Sequence, residues 1–163
     1  MIVALLLAAV VITGCGDAHS HSHKADEHEV KLQLTAYGND FEVYAEATPF
    51  VVGEKSDILA HFTLLNNFKP LTGGSVTASL IVGGKKVIET VKTPAHPGIY
   101  KFNLTPETAG RGQIVFDIQS DSVKSQIIVK DVNVYTKRED AQHAAADAVV
   151  ESSNAVVFTK EMS

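Results

Sequence analysis

From Val30 onward, apolar and polar side chains alternate with a period of two. Leu32, Leu34 and Ala36 fall on one side of an extended segment and Lys31, Gln33 and Thr35 on the other, the pattern of a half-buried β-strand. Similar runs occur at 41–47, 58–65, 76–82, 86–91, 99–104, 113–118 and 126–135. Gly38-Asn39-Asp40, Gly73-Gly74, Gly83-Gly84, Pro97-Gly98 and Gly110-Arg111-Gly112 separate them as predicted turns. Short strands at regular spacing predict an all-β fold, an antiparallel immunoglobulin-like β-sandwich over residues 30–136. Gly83-Gly84 is the strongest hairpin signal, because two glycines accept the positive φ angles of a primed turn. Residues 137–149 (KREDAQHAAADAV) change period and composition; alanine with early charges predicts a short C-terminal helix or helical tether. After Glu151-Ser152-Ser153-Asn154 the run Ala155–Thr159 reads as a strand that begins only a few residues before Ser163.

The amino end obeys another logic. Ile2–Ile12 (IVALLLAAVVI) is a continuous apolar run of the length of a signal-peptide core, and too short to span a bilayer. It ends in Ile12-Thr13-Gly14-Cys15, which resembles a bacterial lipobox. That resemblance implies removal of residues 1–14, diacylation of Cys15 and a lipid-anchored protein of the bacterial cell envelope, on the periplasmic side. Each buried methylene of such an anchor contributes roughly 0.8 kcal/mol, so two acyl chains hold the protein at a membrane stably.

Beyond its first 14 residues the chain is long enough for one domain with a real core. Cys15 is the only cysteine, so no disulfide forms within the chain and no thiolate metal cluster is available. A formal net charge of −5 argues against nucleic acid as a partner, since phosphate binding needs a basic face. No phosphate loop, nucleotide fingerprint or nucleophile elbow is present, and Glu107, Asp117 and Asp121 do not form a recognisable acid–base pair. No enzymatic activity is assigned.

The densest chemistry lies in residues 15–29, a stretch whose only apolar side chains besides the anchor are alanines and which is expected to be a disordered, His-rich tail. His19, His21, His23 and His28 stand there with the carboxylates of Asp17, Asp26 and Glu29. Neutral imidazole is a good ligand for zinc, cobalt, nickel and copper(II), and carboxylates can complete the coordination. Short loops between neighbouring ligands close around an ion at little entropic cost. Such a flexible set is expected to bind divalent cations transiently, as capture and transfer require. Copper(I) and silver prefer sulfur, and apart from Met1 only Met162 carries a thioether. The competing account is a solvated spacer that binds metal only as a purification tag does.

Two further histidines are weaker candidate ligands. His61 is predicted on the strand face opposite Ile58, Ala60, Phe62 and Leu64, beside Leu59 and Thr63, as a structural or surface residue. His96, in Thr93-Pro94-Ala95-His96-Pro97-Gly98, is predicted on a prolyl loop. His143 pairs with Glu139 one turn earlier on the predicted helix, an ordinary exposed couple.

The segments AEATPFVVGE, HFT and SVTASLIVGG, then PGIYKFNLTPETAGRGQIVFDI and SSNAVVFTKEMS, carry a resemblance. Together they are similar to the amino-terminal region of lipoprotein-type periplasmic adaptor subunits, or membrane fusion proteins, of heavy-metal efflux pumps of the RND superfamily. The likeness covers roughly residues 30–163. It implies an inner-membrane RND antiporter and an outer-membrane channel as partners, and a role in moving heavy-metal cations across the envelope. Adaptors of that type continue into a barrel-sandwich domain, a helical hairpin and a β-barrel. Residues 137–163 are then expected to be a tether and the first strand of such a domain, and the chain a fragment. The alternative from a different class is a lipid-anchored interaction module with no metal role.

Overall fold

The computed structural model describes residues 30–121 and 123–154. Cys15, the seven leader ligands Asp17, His19, His21, His23, Asp26, His28 and Glu29, and the strand expected at 155–159 lie outside the described residues.

The predicted sandwich is present, as two sheets facing one core. Strands β1 (Leu32–Tyr37), β2 (Phe41–Ala47), β4 (Ser56–Leu64) and β7 (Ile99–Leu104) form one sheet in the order β1-β2-β4-β7. Strands β3 (Phe50–Val51), β5 (Ser75–Val82), β6 (Lys85–Val91), β8 (Gly110–Gln119) and β9 (Lys124–Tyr135) form the other, in the order β3-β9-β8-β5-β6. All pairings are antiparallel except β3 with β9. The chain crosses from one sheet to the other between β2 and β3. With β1 set aside, β2-β4-β7 against β9-β8-β5-β6 is the A-B-E and G-F-C-C′ arrangement of immunoglobulin-like sandwiches.

Alternation places every second side chain inside. On β2 these are Phe41, Val43, Ala45 and Ala47, and on β4 Ile58, Ala60 and Phe62, all buried. Four rings hold the centre. Phe62 of one sheet meets Phe116 of the other edge-on, with centroids 5.4 Å apart and planes at 78°. It meets Tyr100 at 5.6 Å and 84°. Phe102 closes the cluster against Phe116 at 5.7 Å.

The Gly83-Gly84 hairpin forms as predicted, with Val82 paired to Lys85 and φ angles of 55° and 78° at the two glycines. Two expectations are corrected and one strand is added. Gly110-Arg111-Gly112 is no turn but the start of β8, which pairs Gly110 with Val134 and Gly112 with Val132. Its glycines serve an irregular stretch where the register shifts between Gly112 and Ile114. The two-residue strand β3 joins the predicted set, because Phe50-Val51 is too short to show a period. The helix α1 (Arg138–Asn154) runs on through Glu151-Ser152-Ser153 instead of stopping near Val149.

That helix is docked. Ala141 and Ala145, four residues apart on one face, are each 1% exposed. Glu139 and Asp140 sit favourably in its first turn, at the positive end of the helix dipole. Arg138 pairs with Glu54 at 2.5 Å, and the Gln142 side-chain carbonyl accepts the Val30 N–H at 3.2 Å. Among the described residues no helix is long and apolar enough to cross a membrane.

The sandwich has two poles. One carries Val30, the 83–84 hairpin and the start of α1; the other carries the 38–40 turn, the 65–74 and 92–98 loops and the end of β8 at Gln119.

Candidate functional site

His61 lies on β4 facing away from the core, as its position in the alternation predicts, and is half-buried. It stands opposite Tyr44 on β2 and Ile99 on β7. The Tyr44 ring leans over it, centroids 6.0 Å apart and planes at 54°. Burial, and after it the nearby Glu46 carboxylate, pushes the Tyr44 phenol above its ordinary value.

His96 is exposed and opens a four-residue turn through Pro97 and Gly98. The Ile99 N–H donates to the His96 carbonyl at 2.8 Å, and Gly98 has a φ of 79°. Proline second and a positive-φ glycine third is the composition of a type II turn. Gly98 also joins β4 to the 65–74 loop. Its carbonyl accepts the Phe62 N–H at 2.8 Å and its N–H reaches the Leu71 carbonyl at 2.7 Å. A Cβ there would come within 2.7 Å of the Pro70 ring.

His61 and His96 therefore share one face of the sheet, each paired to Ile99. Among the described residues, no group of three or more His, Cys, Asp or Glu is placed to hold a metal ion. His143 is exposed on α1, as is Glu139.

The same pole carries features to which the alternation pattern does not point. Phe68 is 79% exposed and has a φ of 57°. For a bulky side chain the left-handed region is an outlier costing about 1–3 kcal/mol. Local hydrogen bonds enforce it. The Phe68 N–H donates to the Leu64 carbonyl at 2.9 Å, the Leu64 N–H to the Lys69 carbonyl at 2.8 Å, and the Lys69 N–H to Asn67 Oδ1 at 2.9 Å. Beside this loop opens a cleft of about 380 Å³ whose apolar wall includes Phe41, Leu64, Leu71 and Val123. Lys69 and Asp121 stand on its rim without an ion pair to each other. The sequence holds one clue. An aromatic in Asn66-Asn67-Phe68-Lys69-Pro70 sits where turn residues dominate, so it has no strand face to occupy.

Tyr100 ties this pole to the core. Its ring is buried and its hydroxyl donates to the Gly74 carbonyl at 3.0 Å. Burial pushes its phenol above the usual value of about 10. The folded state thus holds the proton more tightly than the unfolded chain does. The stabilisation is complete below about pH 10 and is lost as pH rises through the folded value. Thermal midpoints measured from about pH 8 to about pH 11.5 should fall above about pH 10, and the fall should be shallower in Tyr100→Phe. An equal fall in both proteins would assign the alkaline loss to other groups.

Comparison with known protein families, curated proteins and solved structures gives no match.

Proposed function

We propose that this chain is an accessory protein of the adaptor type for a heavy-metal cation efflux system, lipid-anchored through Cys15 and capturing divalent cations with its leader. The observation that carries the reading is the leader's ligand density: His19, His21, His23 and His28 with Asp17, Asp26 and Glu29, all within residues 17–29. Imidazole and carboxylate donors at such short intervals suit zinc, nickel, cobalt and copper(II). A labile ligand set at the membrane would load and release ions on contact with a pump. In this reading the sandwich is the body that carries the leader, and the envelope partners are the antiporter and channel that the sequence resemblance implies. The exposed Phe68 favours a second reading, an anchored module whose loops bind another protein.

Titration calorimetry of the full chain in detergent with zinc, nickel and cobalt separates them. Saturable binding is expected, weakened by about tenfold or more when the four leader histidines are replaced by alanine, and unchanged in His61→Ala/His96→Ala. Binding that persists without the leader histidines, or that is absent from the native chain, would remove the metal-capture role.

A further inference from the structure

The pole distant from Val30 holds both a knob and a hole. Phe68 projects into solvent from a loop whose hydrogen bonds fix its unfavourable backbone. The cleft beside it is open and of mixed lining, with Leu64, Leu71 and Val123 in its wall among polar neighbours that include Asn67 and Ser120. An exposed aromatic on a backbone held by hydrogen bonds, next to a cleft with apolar residues in its wall, suits an interface anchor, because little backbone freedom remains to be lost on binding. The charges have the same arrangement. Lys69 adjoins the knob in sequence, Asp121 lies on the rim of the hole, and no ion pair joins the two within the chain.

We infer that this pole is a self-association surface: in a two-fold dimer, Phe68 of each copy enters the cleft of the other. The two-fold repeats every contact, so Lys69 of each copy meets Asp121 of the other. One surface then satisfies an exposed ring, an open cleft and two rim charges of opposite sign. A partner of different sequence would have to bring its own knob, hole and both charges in the same order. The second copy has them by construction. This surface lies at the pole opposite Val30, and none of its residues is one of the leader's metal ligands.

Sedimentation equilibrium of the full chain in detergent, with the micelle density-matched, tests the inference. A reversible monomer–dimer equilibrium is expected. Phe68→Gly should weaken it by about tenfold or more, while the thermal midpoint holds or rises, since glycine accepts the positive φ without strain. That combination distinguishes loss of an interface from loss of folding. Lys69→Asp and Asp121→Lys should each weaken association by about fivefold, and the double variant should recover most of it, because the reversed pair is complementary again. The chain has no tryptophan, so Phe68→Trp supplies a single indole. Its emission should shift to the blue as concentration rises. A blue-shifted indole at every concentration would mean that the ring folds into its own cleft, and overturns the inference. So does a chain that stays monomeric, or association that Phe68→Gly leaves intact.

Discussion

Phe62→Ala is expected to lower the free energy of unfolding by about 3–5 kcal/mol, the range found when a buried aromatic is truncated in a core that cannot collapse around the gap. Phe62 is 1% exposed and contacts both Tyr100 and Phe116 edge-on, so it links the two sheets through one ring. Each such aromatic pair adds about 0.5–1.5 kcal/mol beyond the area it covers. Domains of this size are stable by only about 5–15 kcal/mol, so the variant should be substantially unfolded at moderate temperature. Phe62→Leu keeps most of the volume and should cost less than the alanine variant. Denaturant titration of the full chain checks both. A loss below about 1 kcal/mol for Phe62→Ala would mean that the rings are not the structural centre.

The second large effect is expected at Gly112. A Cβ there would lie 2.1 Å from the Ile81 carbonyl oxygen and 2.6 Å from a Val82 methyl. The obstacle is the backbone of the neighbouring strand, which cannot rotate away as a side chain can. Gly112→Ala should therefore force β5 and β8 apart where they pair, at a cost of about 3 kcal/mol or more, the upper end of overpacking. Gly84 provides the control. Its φ is 78° with nothing within 4 Å of a built Cβ, so only the dihedral resists substitution. Gly84→Asn should cost little, since asparagine accepts a primed turn. The same denaturation series reads both, and a Gly112→Ala protein as stable as the native one would refute the close approach.

These glycines show where sequence reading succeeds and where it stops. Gly83-Gly84 is legible because a two-residue turn needs positive φ twice and lies between two alternating runs. Gly112 looks the same in the sequence, yet its reason is a strand that arrives from far upstream, at Ile81 and Val82. No local pattern carries that information. Alternation alone puts His61 on its correct face, as strand side chains obey a period of two. The loop holding Phe68 is illegible because its conformation depends on hydrogen bonds among Leu64, Asn67 and Lys69. The helix outruns its predicted end, and the buried Ala141 and Ala145 dock its first half against the sandwich. The ligand types in residues 17–29 are readable from composition alone, since they are a matter of residue identity and spacing.

The Val30 N–H clipped to Gln142 sets a mechanical limit on what the sandwich can do. A polypeptide that comes in at Val30 makes a closed detour through nine strands and returns beside its starting point. However many ångströms the detour contains, it adds almost nothing to the reach between the residues before Val30 and those after Tyr135. The domain is thus a pendant, carried by the chain rather than forming a length of it, and tension on the polypeptide would load the clip and the α1 docking before any strand at the far pole.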